Sequence, residues 1–179
     1  MDINAIGSSN LVINYKEEKF DDQQIKKDDF SKYFNEKSKE LSTKFGITLN
    51  KKEISEKLGI SYELFRKIIN REKPTKKRDC IIAVCALLGL DTHDTNKALR
   101  MNYMLKLDDR NGRDELIMSI LDNHRIHYQN QDIDELDYDP DIISEVNQIL
   151  SDNVYPPLDI INHRKKPNDN DENANENKS

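Results

Sequence analysis

Apolar side chains recur at helical spacing between residues 51 and 89, and only two glycines interrupt them. Two such segments each follow a polar capping residue, Asn50 for the first and Ser61 for the second, and Gly59 ends the first segment. Glu53 stands where the acidic partner of a capping box belongs. The pattern therefore predicts two short helices joined by a tight turn, over 51–58 and 62–70.

A third segment, Arg78–Leu88, is apolar on nearly every side of a helix. Its apolar members are Cys80, Ile81, Ile82, Val84, Cys85, Leu87 and Leu88. Gly89 follows and ends the helix. A helix without a polar face has to be covered by its neighbours, so the sequence predicts that this segment is the central buried helix.

Helical patterns also occur at 28–45, 92–101, 113–123 and 140–150. The last of these begins behind Asp139-Pro140, where Asp139 is the expected cap. A short strand at 11–15 is the one extended candidate. The sequence thus predicts an all-α fold, a small bundle of about five or six short helices with poorly ordered N- and C-terminal extensions.

The charged fraction equals the hydrophobic fraction, 35% each, which leaves few apolar residues for a chain of this length. We therefore expect a folded core flanked by irregular segments. The expected divisions are 1–27 as an irregular extension, 28–127 as the helical domain, 128–164 as an acidic linker with a short helix and a fold-back segment, and 165–179 as a disordered tail.

Composition excludes several classes of protein. Five glycines in 179 residues are too few for a glycine-rich phosphate-binding fold or a turn-rich sheet sandwich. No apolar run approaches the roughly 20 residues that span a bilayer, so we expect no membrane partner. Residues 1–4 show no secretion signal. Cys80 and Cys85 lie in the apolar helix and are expected to be reduced, as in a cytoplasmic protein.

The net charge of −6 is unevenly distributed along the chain. Residues 44–78 carry 11 basic and 4 acidic side chains, a net of +7, whereas residues 128–160 carry 9 acidic side chains and no basic one. A polyanion responds to the local field within about 10 Å rather than to the net charge of the whole chain. Because the basic segment coincides with the two short helices, it favours a polyanionic partner at that place.

Within residues 51–70, the apolar positions have the spacing of two helices that cross at a steep angle. These positions are Ile54, Leu58, Ile60, Phe65 and Ile68. Ser55 supplies a small side chain where the helices approach, and Gly59 adopts the left-handed backbone of the turn without strain. The apolar set would anchor both helices to Arg78–Leu88, which leaves the outer face of the second helix free to enter a major groove of DNA.

The stretch KKEISEKLGISYELFRKIINREKPTKKRDCIIAVCALLGL resembles the phage-repressor-like, XRE-type helix-turn-helix family. It has the family's order of second helix, turn, recognition helix, basic loop and apolar fourth helix. The resemblance covers about 30–90, and 91–123 is more loosely similar to a companion segment of some bacterial relatives. It implies a sequence-specific DNA-binding transcriptional regulator of the bacterial cytoplasm, without a cofactor.

The resemblance implies base contacts from Ser61, Tyr62, Glu63, Arg66, Lys67 and Asn70. Arg66 would pair with guanine O6 and N7 and Asn70 with adenine, whereas Glu63 would accept from cytosine N4 or repel phosphate. It implies phosphate contacts from Lys51, Lys52, Arg71, Lys73, Lys76 and Lys77. The family often has glutamine where this chain has Lys51. At this position the departure favours a charge contact with DNA over a specific hydrogen bond.

Alternative functions stay open at this point. A helix-turn-helix scaffold also serves as a protein-interaction module, here an antitoxin-like partner or adaptor that binds a basic protein through the acidic segment 128–160. The same segment is otherwise a flexible spacer, or it folds over the basic helices and weakens DNA binding. Repressors of this family are usually homodimers, but no heptad pattern is present, and the oligomeric state stays open.

One short pattern occurs twice in the chain. Asn96-x-x-Leu99 precedes Leu107-Asp108, and Asn147-x-x-Leu150 precedes Leu158-Asp159 at the same offsets. Each copy predicts a helix followed by an extended segment that folds back on it. A chance match between two amphipathic helices explains the pattern equally well.

Asp122, His124 and His127 have the spacing of a metal corner, but exposed histidines at a helix end are the simpler interpretation. The spacing of Cys80 and Cys85 places them on different sides of one helix, which suits neither a disulfide nor zinc. No Ser/His/Asp or Cys/His arrangement is visible. We therefore expect neither a metal site nor enzymatic activity.

Overall fold

A computed structural model describes residues 25–26, 28–46, 49–130 and 141–160 of the chain. The expected strand at 11–15 and the expected tail at 165–179 lie outside these residues, as do residues 131–140 of the expected acidic linker.

The described residues form seven helices and no strand, which confirms the all-α prediction. The helices are α1 Asp29–Phe45, α2 Lys51–Lys57, α3 Tyr62–Ile69, α4 Arg78–Leu87, α5 Thr92–Met101, α6 Gly112–Asn130 and α7 Ile142–Asp152. Their number is close to the expected value of about five or six short helices, but α1 and α6 are long, with 17 and 19 residues.

Local capping defines the start of α2 and α3 as the sequence predicted. Asn50 Oδ1 accepts hydrogen bonds from the backbone N–H groups of Lys52 and Glu53, both at 2.9 Å. Glu53 Oε2 accepts from the Asn50 N–H at 3.0 Å, which completes the capping box. At α3, Ser61 Oγ accepts from the Leu64 N–H at 3.2 Å. These bonds satisfy N–H groups that a helix start otherwise leaves unpaired.

Helix α4 is the centre of the molecule, as predicted. Every side chain from Cys80 to Leu87 is buried, so the helix is covered on all sides. Both cysteines are free thiols. Burial raises the pKa of Cys80 to about 11 and that of Cys85 to about 12, so both stay protonated at neutral pH.

Two predicted helix boundaries near the acidic segment were wrong. Helix α6 continues to Asn130 instead of ending at Asn123, because the intervening residues contain neither glycine nor proline to stop it. It thereby includes residues 128–130, which were expected in the linker. Helix α7 begins behind Asp141 instead of Asp139, and the Asp141 side chain makes no cap hydrogen bond.

The twice-occurring pattern is a structural repeat, and both copies fold back as predicted. The Leu107 N–H donates to Asn96 Oδ1 at 2.8 Å, and the Leu158 N–H donates to Asn147 Oδ1 at the same distance. Each helix also ends in the same way. Asn102 and Asn153 donate from Nδ2 to the carbonyl four residues earlier, at 2.9 Å each.

The residue after each of these asparagines has left-handed backbone, with φ +56° at Tyr103 and +63° at Val154. This conformation is strained for a residue with a Cβ atom, and it reverses the chain in both copies. We call residues 78–108 the first unit and residues 113–159 the second unit.

The two units exchange equivalent ion pairs at the starts of α4 and α6. Arg78 donates to both carboxylate oxygens of Asp114, at 2.9 and 2.7 Å, and Arg113 donates to both oxygens of Asp79, at 3.2 and 2.7 Å. The fold-back segments follow the same rule. The Asp108 backbone N–H donates to the Asp114 carboxylate, and the Asp159 backbone N–H donates to the Asp79 carboxylate. Such reciprocal contacts are those of a two-fold arrangement.

The second unit is part of the same hydrophobic core. Ile142, Val146, Leu150 and Leu158 are all buried, and α7 contacts both α4 and α6. The flexible-spacer hypothesis is therefore wrong for residues 141–160. Deleting everything after residue 127 would therefore uncover this core.

The ion-pair exchange predicts that removing one carboxylate destabilises both units. Asp114→Ala leaves the Arg78 guanidinium without its partner in a partly buried place, and we expect a loss of about 2–4 kcal/mol in the free energy of unfolding. Asp79→Ala should cost a similar amount, because it occupies the equivalent place in the first unit. Urea unfolding followed by far-UV circular dichroism measures both changes.

Glu115→Ala is the matched control, because Glu115 is exposed beside Asp114 on the same helix. It should change the stability by no more than about 0.5 kcal/mol. Equal unfolding midpoints for Asp114→Ala and Glu115→Ala would show that the exchanged pairs do not hold the units together.

Candidate nucleic-acid interface

Helices α2 and α3 are joined by a tight turn with buried contacts on its inner side. Gly59 has φ +66°, in the left-handed region that the turn requires. The Ile60 N–H donates to the Ser55 carbonyl at 3.0 Å, and the Ser55 side chain is fully buried. Ile54 of α2 and Phe65 of α3 have no exposed surface. The small residue and the glycine therefore occupy the places that the sequence predicted.

Helix α3 buries one side and presents the other. Phe65, Ile68 and Ile69 are buried. The predicted base-contact residues divide into two groups: Ser61, Tyr62 and Glu63 are exposed, and Arg66, Lys67 and Asn70 are half-buried. Tyr62 is 48% exposed, which is high for an aromatic side chain. All six lie on or beside α3, and Asn70 follows its last residue as the C-cap.

Arg66 is held between two carboxylates on this surface. Its Nε donates to Glu63 Oε2 at 3.2 Å and its Nη2 to Glu63 Oε1 at 3.2 Å. On its other edge, Nη1 donates to Glu72 Oε1 at 2.9 Å and Nη2 to Glu72 Oε2 at 3.2 Å. Lys67 Nζ also lies 3.2 Å from Glu63 Oε1.

These hydrogen bonds extend the ionised range of both carboxylates to lower pH. Arg66 and then Lys67 lower the pKa of Glu63 to about 2, and Arg66 holds the pKa of Glu72 below its ordinary value. Both acids are therefore negatively charged at neutral pH, in the middle of the basic segment.

Asn70 is tied to the same network and to α1. Its Oδ1 accepts from Ser31 Oγ at 3.2 Å, and its Nδ2 donates to Glu72 Oε1 at 3.4 Å. The amide orientation is thus fixed from both ends. Ser31 and Glu72 were missed by sequence reasoning, because they are brought to α3 by helix packing and by the turn at Arg71, where φ is +53°.

The predicted phosphate-contact residues differ in their exposure and in their contacts with other side chains. Lys73 and Lys76 are exposed in the loop after α3. Lys52 is 75% exposed, with Glu56 Oε1 at 3.9 Å, and Lys51 Nζ lies 5.8 Å from the centroid of the Phe34 ring. The starts of α2 and α3 line one cavity of ≈ 570 Å³, which includes Asn50 and Tyr62 as well as these two lysines.

Two of the six cations are held by the repeat units. The Arg71 guanidinium lies 4.7 Å from the centroid of the Tyr103 ring, a cation–π contact with the turn of the first unit. Lys77 pairs with Asp159 of the second unit, and its side chain is only 19% exposed. The acidic segment therefore meets the basic loop at this pair, and Lys77 is less available to a ligand than Lys76.

Two further predictions concern a membrane and a metal ion. None of the seven described helices has both the length and the apolar composition that a bilayer crossing requires. Among the described residues, no three His, Cys, Asp or Glu side chains are grouped to hold a metal ion. Asp122 accepts from the Thr92 N–H at 2.8 Å; the side chains of His124 and His127 lie outside the description.

Comparisons with models of known protein families, with curated proteins and with solved structures found no match to this chain.

The pairing of Lys77 predicts different roles for two neighbouring lysines. Lys77→Gln removes the ion pair with Asp159 and should lower the free energy of unfolding by about 1 kcal/mol, because the pair is only partly exposed. Lys76→Gln removes the same charge from an exposed side chain and should leave stability unchanged within about 0.5 kcal/mol. Thermal and urea unfolding compare the two variants. A larger loss for Lys76→Gln would contradict the structural assignment.

Proposed function

We propose that the protein is a sequence-specific DNA-binding transcriptional regulator that places α3 in the major groove. The observation that carries the proposal is the outward face of α3, which bears two half-buried cations and an amide beside the exposed Glu63 and is flanked by lysines on both sides. A helix with its side chains is roughly 10–12 Å in diameter, which fits a major groove that is roughly 12 Å wide. The buried side of α3 is anchored in the core, so its polar side projects outward.

Base readout in this proposal belongs to the residues of α3 and its caps. Arg66 has the donors to pair with guanine, and Asn70 has the donor and acceptor to pair with adenine. Lys67 and Tyr62 lie on the same exposed side. Asn70 is already oriented by Ser31 and Glu72, and a side chain fixed before binding loses less conformational entropy on binding.

Phosphate contacts would come from both ends of the site. Lys51 and Lys52 stand at the start of α2, and Lys73 and Lys76 stand in the loop after α3. Contacts of this kind position a protein on the duplex without reading sequence. Lys77 contributes less in this proposal, because Asp159 already neutralises it.

The resemblance of residues 30–90 to XRE-type regulators supports the same function. On that basis the protein would act in the bacterial cytoplasm, and its occupancy of a promoter would block or recruit RNA polymerase. A homodimer belongs to the same proposal, since members of the family usually read two half-sites.

A protein-interaction module is the second candidate function. It is favoured by the outer side of α7, where Asp141, Glu145 and Asp152 are exposed while the apolar side is buried. An acidic helix face of this kind suits a basic protein partner. In this alternative, activity would depend on α7 and not on Arg66 and Lys67.

Fluorescence anisotropy with a labelled AT-rich duplex across a salt series tests DNA binding. We expect log affinity to fall linearly with log salt, with a slope that corresponds to roughly 4–8 phosphate contacts. The double variant Arg66→Ala/Lys67→Ala should bind at least tenfold more weakly, because it removes both cations of α3.

Lys39→Ala/Arg110→Ala is the control, since it removes the same charge from exposed positions on α1 and on the turn before α6. It should retain most of the wild-type affinity. Equal losses in the two double variants would indicate attraction to net charge rather than a site on α3. Absence of binding at low salt would exclude DNA as the partner and favour the protein-interaction module.

A further inference from the structure

We infer that Glu63 and Glu72 form a clamp on Arg66 in which Glu63 occupies the place of a guanine and Glu72 positions the guanidinium. This inference rests on the proposed function. The two glutamates would set the affinity and the sequence selectivity of DNA binding. The inference starts from the four hydrogen bonds that Arg66 makes to the two carboxylates.

The number of unused N–H donors on Arg66 determines whether it can pair with a guanine in the free protein. A guanidinium has five N–H donors. Four of those of Arg66 are used, two by each carboxylate, and one on Nη1 is left. Pairing with guanine O6 and N7 needs two adjacent donors at once. Arg66 therefore has to release a carboxylate before it reads a guanine.

The two carboxylates hold different edges of the guanidinium. Glu63 accepts from Nε and Nη2, whereas Glu72 accepts from Nη1 and Nη2. Either edge presents two N–H groups that match the two acceptors of guanine or the two oxygens of a carboxylate. The Nε/Nη2 edge is the one that the more exposed carboxylate covers, since the Glu63 side chain is 58% exposed and that of Glu72 39%. Glu63 thus sits where a guanine edge would bind.

Glu63 is the partner that DNA would displace. It lies in the first turn of α3, and its side chain is 58% exposed on the side proposed to enter the groove. A carboxylate there would face the negatively charged phosphates and the lone pairs of base acceptors, both of which repel it. When it leaves, Nε–H and Nη2–H become free together.

Glu72 is the partner that would stay. Its backbone N–H donates to the Lys67 carbonyl at 2.9 Å, and the Lys73 N–H donates to the same carbonyl at 3.1 Å, so the turn after α3 is closed around it. Its Oε1 also accepts from Asn70. Glu72 is therefore a positioning residue, which orients Arg66 and Asn70 without touching a base itself.

The first test measures the clamp in the protein without DNA. The Arg66 Nε–H signal in a ¹⁵N spectrum should exchange slowly with water in the wild type, because that proton is bonded to Glu63. Glu63→Gln should speed its exchange at least threefold, and the control Glu115→Gln should leave it unchanged. Exchange that neither Glu63→Gln nor Glu72→Ala alters would overturn the clamp, whether or not the protein binds DNA.

The second test uses a randomised duplex pool, from which bound sequences are selected and read. The wild type should enrich a guanine at one position, and Arg66→Ala should lose that enrichment. Glu63→Gln should keep the guanine and bind the unselected pool about threefold to tenfold more tightly, since it removes a competing charge. Glu72→Ala should still bind but lose most of the guanine preference, and Glu72→Gln, which retains one acceptor, should restore part of it.

The outcomes test DNA binding and the clamp on Arg66 separately. No binding to the pool by the wild type would reject the proposed function and, with it, this inference. Binding with a guanine preference that Glu72→Ala preserves, or with no gain for Glu63→Gln, would reject the clamp alone.

Discussion

The burial of α4 from Cys80 to Leu87 is the constraint on which the rest of the fold depends. A helix that is apolar on every side cannot remain in water, because each large apolar side chain gains about 1.5–3 kcal/mol from burial. Helices α5 and α7 contact it directly, and one core joins it to Ile54 of α2 and Phe65 of α3. The candidate interface and both repeat units are therefore built on the same helix, and neither can be removed without exposing it.

The exchanged Arg–Asp pairs determine how the two units meet. Apolar contacts alone allow helices to slide along one another, whereas a guanidinium that binds both oxygens of a carboxylate accepts only one register. Arg78 and Arg113 also donate from Nε to the carbonyls of Leu105 and Pro156, so each fixes a helix start and a fold-back segment together. Ion pairs with this degree of burial add little net stability compared with apolar residues of the same size, although removing one partner alone is costly because the other charge is then left unpaired.

The sequence predicted best where structure is decided locally. The capping box at Asn50, the left-handed turn at Gly59 and the burial of α4 each follow from a few adjacent residues, and all three were confirmed. The start of α7 was misplaced because Asp139 and Asp141 are both plausible caps and only packing selects between them. The candidate site was predicted as a set of residues near α3, but not as a network. The bonds from Ser31 and Glu72 depend on helix packing and on the backbone of Arg71, which no local pattern encodes.

The carboxylates within the basic segment bear on how a chain with a net charge of −6 would discriminate among DNA sequences. Non-specific affinity grows with the number of phosphates that cations neutralise. In this protein Glu63, Glu72 and Asp159 each engage a cation of that segment, so part of its charge is already compensated. A DNA sequence without the guanine would then gain little binding free energy from its phosphates. It would also offer no hydrogen bonds to replace those that Arg66 gives up when it releases Glu63. In the proposed mode of binding, a matching guanine would replace the lost hydrogen bonds one for one, so the same carboxylates that weaken binding in general would widen the difference between correct and incorrect sites.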